Sequence, residues 1–173
     1  MTELARLYAE IALLRKKPQD VPASAMLLVF TALAYAVINI IFGRVFPPTS
    51  GPWVLMVVVD VAVTAAWFAV LLKLVGKSER FIQTTTATFG YQAVLAPLYV
   101  TAGWLIHRFY EDPAWQLPLM LIVIVVVGWS IAVNGHIFRA ALEWSTASSV
   151  ALAILQFVFM QLVSLALFPE QRT

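Results

Sequence analysis

The chain has no cysteine. Disulfides, thiolate nucleophiles and cysteine-ligated metals are therefore excluded. Histidine is nearly as scarce: His107 and His136 stand far apart and read as interfacial polar residues, so no metal or other cofactor is expected. Charge is also thin. Asp, Glu, Lys and Arg make up 12% of the residues, about half the ~25% usual in a soluble domain. No Ser-His-Asp set, glycine-rich phosphate loop or pair of catalytic carboxylates is present, so no enzyme is expected. The few basic residues follow membrane topology, which leaves nothing to suggest nucleic-acid binding. The N-terminus, with its acids and a tyrosine, does not read as a cleaved signal peptide.

What fills the space is apolar, at 62% of the chain. A membrane-spanning helix needs about 20 mainly apolar residues. Runs over residues 24–46, 53–75, 81–106, 115–138 and 144–168 qualify, separated by breakers such as "FPPTSGP", "GKSER" and "HRFYEDP". The expected fold is an all-α integral membrane protein, a five-helix bundle with antiparallel neighbours. Residues 1–23 precede it as an amphipathic helix and linker, and residues 169–173 form a short tail. Loop charge sets the orientation. Arg6, Arg15, Lys16, Lys17, Lys73, Lys77, Arg80 and Arg139 fall on one side, Arg44, Arg108 and Arg172 on the other. The N-terminus is thus expected in the cytoplasm and the C-terminus outside, in a bacterial inner membrane.

In "MTELARLYAEIALLRKK", Leu4, Leu7, Tyr8, Ile11 and Leu14 recur at helical spacing, with Glu3, Arg6, Glu10 and Lys17 elsewhere. This predicts a helix on the cytoplasmic interface, with Arg15, Lys16 and Lys17 offered to anionic lipid or a partner.

Asp60 lies inside "WVLMVVVDVAVTAAWFAVLL". An aspartate there costs on the order of 3 kcal/mol on insertion scales, so it must face the bundle and find a partner. Counted from the outer ends of the first two spans, Asn39 and Asp60 lie at matching depth, roughly 10 Å down. An Asn39 amide donating to Asp60, with Arg44 as counter-charge, is the expected arrangement: a buried clasp, or a protonatable group on an ion path. Gln92, Gln156 and Gln161 are expected to bond between helices, and Ser130 and Asn134 add polarity to the fourth span. Pro97 predicts a kink in the third.

"SGPW" opening the second span, "FGYQAVLAP" in the third, and "GWSIAVNGHIFRAALEWSTASSVALAIL" across the last two occur in that order. Together with the topology, they resemble the Ypt-interacting-protein (Yip) family of small membrane proteins, and within it the bacterial branch, over about residues 24–168. Its Gly-Tyr and following Pro correspond to Gly90, Tyr91 and Pro97, its Gly-Pro to Gly51 and Pro52. The resemblance implies the bundle and its topology. Eukaryotic members bind Rab-type GTPases, but this chain lacks their longer cytoplasmic domain and the acidic-aromatic lead-in to the Gly-Pro. GTPase binding is therefore not carried over. The reading favoured by the residues is a non-enzymatic scaffold or adaptor, packing in the bilayer against itself as a homo-oligomer or against another membrane protein. The alternative is a small transporter, channel or lipid-handling protein that uses the third span and Asp60.

Overall fold

A computed structural model describes residues 2–45 and 52–168, with side chains over 3–41 and 52–168. Among the described residues the chain is helical, without strands. The helices are α1 (Thr2–Ala12), α2 (Ala25–Val45), α3 (Trp53–Leu74), α4 (Phe81–Phe109), α5 (Gln116–Leu142) and α6 (Thr146–Leu167), with short 3-10 turns before α4 and α5 and after α1. Four of them, α3 to α6, are long and apolar enough to cross a membrane, which marks the chain as an integral membrane protein. The apolar part of α2 is described over Ala25–Ile41.

Local chemistry ends α3 and α5 and starts α6. Gly76, at φ 73, takes the left-handed conformation after α3. The next amide, Lys77 N–H, donates back to the Leu72 carbonyl at 2.8 Å, closing the turn. Ser145 caps α6 by accepting the Ser148 N–H at 3.2 Å. Glu143 ends α5 at φ 60, unusual for a residue with a side chain. Its carboxylate bridges Lys77 and Arg80, at 2.6 Å each. Those bonds, the one to Lys77 foremost, hold the carboxyl down at about 2. Arg80 and Lys77 also donate to the carbonyls of Ala141 and Leu142, at 2.9 Å each, satisfying carbonyls that α5 leaves open.

Helix α4 is central, touching α1, α2, α3 and α5, while α6 lies against α5 and α3. Its residues Thr84 to Tyr91 are all buried. Pro97 lies inside α4, which runs on to Phe109, and is exposed.

Helix α1 sends one face into the bundle. Tyr8, Ile11 and Ala12 are buried in one cluster with Ala87 and Tyr91 of α4 and Val133 and Ile137 of α5. The Tyr8 ring occupies the space where a Cβ on Gly90 would stand. Burial pushes the Tyr8 phenol up to about 12. The link onward is pinned to the same helices. His136 Nε2 bonds the Lys16 carbonyl at 2.9 Å, and Gln19 Nε2 donates to the Ala140 carbonyl at 2.6 Å. Gln83 Nε2 donates to the Val21 carbonyl at 2.8 Å.

Candidate functional site

The carboxylate of Asp60 does not meet the Asn39 amide. Its partner is Tyr35, whose hydroxyl donates to Asp60 Oδ2 at 2.7 Å. The Asn39 Nδ2 instead donates to the Tyr35 carbonyl, one turn back on its own helix, at 2.8 Å. The physical reason is vertical offset. Trp53, the first residue of α3, donates its indole N–H to the Asn39 carbonyl at 2.9 Å. Asn39 is therefore held near the start of α3, while Asp60 lies two turns further along it. A phenol from the turn below Asn39, longer than an amide, closes that gap. The Arg44 side chain, expected as counter-charge, lies outside the described residues, as does Gly51. Pro52 stands immediately before α3.

Two adjoining cavities meet at this pair. One, of about 210 Å³, is lined by Trp53, Val57, Gln161, Ser164 and Phe168 near the ends of α3 and α6. The other, of about 220 Å³, reaches into the bundle between Thr64, Tyr91, Gln92, Tyr99, Ser130, Asn134, Gln156 and Phe157. Tyr35, Asn39, Asp60 and Met160 border both. The lining thus draws polar groups from α2, α3, α4, α5 and α6. No Lys or Arg lines either cavity among the described residues.

Part of this lining is spoken for. The hydroxyls of Ser130 and Tyr99 lie 3.1 Å apart, and Asn134 Nδ2 donates to the Ser130 carbonyl at 3.0 Å. Part is not: Asn134 Oδ1 and Gln156 Oε1 are buried without a hydrogen-bond partner. Buried polar atoms are nearly always paired; among the described residues these two are the unpaired ones that border the cavities, and seven others lie elsewhere.

Of the residues singled out from sequence, Asp60, Asn39, Gln92, Gln156, Gln161 and Tyr91 come together here. Gly90 instead receives Tyr8, and Pro97 lines neither cavity. Arg15, Lys16 and Lys17 are exposed, with Lys17 lining a separate cleft beside Arg80, His136, Arg139 and Glu143. Sequence reasoning missed Tyr35 and Tyr99, because a tyrosine within an apolar run passes as bulk. The available signal was position: Tyr35 falls one helical turn before Asn39, on the same face.

No family model, curated protein or solved structure matches the chain.

Proposed function

We propose that the chain is a five-span inner-membrane protein, N-terminus in the cytoplasm, that binds a small polar solute or ion at Asp60 and passes it across the bilayer. One observation carries this reading: polar side chains from five helices converge on two cavities joined at a half-buried carboxylate. Intramembrane ionisable residues are costly and mark solute, ion or proton paths when they face a cavity. A clasp between two helices would need Tyr35 and Asp60 alone; it gives no reason for Gln92, Asn134 and Gln156 to face the same space. The fifth span is α2 and the positive-inside count supplies the orientation. The Yip-like order of Pro52, Gly90, Tyr91 and Pro97 agrees with this bundle and says nothing of a solute.

The scaffold reading keeps one specific support. An apolar groove of about 700 Å³ runs between α4 and α5, lined by Leu95, Leu98, Leu105, Ile122 and Val125 among others, and would suit another membrane helix. The apolar face of α1 is spent on the chain's own core, while Arg15, Lys16 and Lys17 stay exposed.

Reconstitution in liposomes separates the two. With a proton gradient imposed, transport predicts dissipation by the wild type and its loss in Asp60→Asn, while both proteins reconstitute equally. Solute uptake under the same gradient would extend the test to ions and solutes other than protons. Absence of any Asp60-dependent flux of protons, alkali ions or amines would return the weight to a scaffold.

A further inference from the structure

Resting on the solute-binding reading, the chemistry of the lining narrows the solute. We propose that it is a small organic ammonium ion, its charge at Asp60 and its alkyl part in the inner cavity.

The first argument is the sign of the open groups. Asp60 supplies a carboxylate with one oxygen already accepting from Tyr35. Asn134 is oriented by its Nδ2 donating to Ser130, so the atom left open is an oxygen. Gln156, 7% exposed, leaves its Oε1 open as well. These three oxygens are acceptors, while the Tyr91 hydroxyl and the Gln92 and Gln156 amides bring donors to the same lining. An occupant that satisfies the three oxygens must bring N–H or O–H donors, and one that neutralises Asp60 must be a cation; an alkylammonium does both. An anion would meet a carboxylate with no Lys or Arg in the lining of either cavity among the described residues.

The second argument is shape and surface. Hard metal cations take six or more oxygens at close range. The oxygens that line the 220 Å³ cavity are mostly neutral hydroxyls and amides with Asp60 as the one carboxylate, and among the described residues no cluster of three His, Cys, Asp or Glu could hold a metal ion. That volume is several times the ~30 Å³ share of one water, room for a short alkyl chain. The rings of Tyr91, Tyr99 and Phe157 border it. Aromatic faces attract a cation within about 6 Å, more strongly when water is excluded.

The test uses the full chain in phospholipid nanodiscs and titrates n-propylammonium chloride against n-propanol, sodium chloride and potassium chloride. Saturable n-propylammonium binding is expected, at least about tenfold tighter than n-propanol. Asp60→Asn should weaken it by about tenfold or more, the equivalent of one lost charge contact. Phe157→Leu, which keeps the charge and removes a ring, should weaken it a few-fold. Should Asp60→Asn fail to fold, the n-propanol comparison and Phe157→Leu still decide. Equal affinity for n-propanol and n-propylammonium overturns the proposal. So does sodium or potassium binding in place of the amine, or proton flux through Asp60 without amine binding; in either case the transport reading survives. No binding of any probe, together with no Asp60-dependent flux, removes both.

Discussion

The Tyr35 hydroxyl donates to Asp60 Oδ2 at 2.7 Å, joining α2 to α3 within the bundle. Tyr35 also packs against α4, its ring tilted at 33° to that of Phe89 with centroids 5.5 Å apart. One side chain thus ties three helices and orients the carboxylate. Tyr35→Phe keeps the ring and removes only the donor. It should lower stability by about 1 kcal/mol, the usual scale of an interhelical hydrogen bond in a bilayer. Asn39→Leu should cost less, because its amide bonds only within α2. Thermal melts of the two variants in one detergent check the order. A larger loss for Asn39→Leu would reinstate the amide as the partner of Asp60.

Gly90 sets the seat of α1. A methyl group there meets the Tyr8 ring, which would have to leave the space it fills. Gly90→Ala should therefore cost about 1–3 kcal/mol, the range for overpacking. Tyr8→Ala in the same chain should recover part of that loss, because the clash disappears with the ring. The double-mutant cycle measures it. Additive losses would mean that Tyr8 does not lie on Gly90.

These two relationships mark the limits of what sequence makes legible. Apolar runs and breakers delimit α3 to α6 because burial in lipid demands long uninterrupted segments, and that constraint is written locally. Asp60 stood out for the same reason, as a charge where none is tolerated. Its partner did not, because the match depends on the vertical offset between α2 and α3, fixed by the Trp53 bond to the Asn39 carbonyl. The periodicity of Leu4, Leu7, Tyr8 and Ile11 revealed a face but not what it covers. That face meets Ala87, Val133 and Ile137, residues as apolar as those that face lipid. Tyr99 escaped notice because its role arises only once Ser130, on another helix, comes within 3.1 Å.

At the end of α5, Glu143 ties two turns together through Lys77 and Arg80. Its carboxyl is held at about 2 rather than its ordinary 4.5. A carboxyl with a lowered pKa stabilises the fold above its unfolded value, and that contribution fades as pH falls through the folded one. The window is therefore pH 4.5 down to about 2. Wild-type melting temperature should decline across it more steeply than that of Glu143→Gln, whose neutral amide carries no such dependence. The exposed setting keeps the difference small. Parallel declines would show that the bridge contributes nothing measurable.

Helix α1 sends Tyr8, Ile11 and Ala12 into the core, but the spans carry the apolar length that insertion needs. Helices α3 to α6 each meet the length and apolarity of a span without it. Removing Met1 to Lys17 should therefore leave membrane insertion intact, read by carbonate-resistant membrane association. Stability should fall, because Ala87, Tyr91, Val133 and Ile137 lose the cover of Tyr8 and Ile11, and His136 loses the Lys16 carbonyl. Each large buried side chain is worth about 1.5–3 kcal/mol relative to exposure in water, less where lipid replaces it. A drop of several degrees in melting temperature in detergent is expected on that scale. Loss of insertion would mean that α1 acts before the spans assemble. An unchanged melting temperature would mean that the Tyr8 and Ile11 contacts add nothing to the bundle.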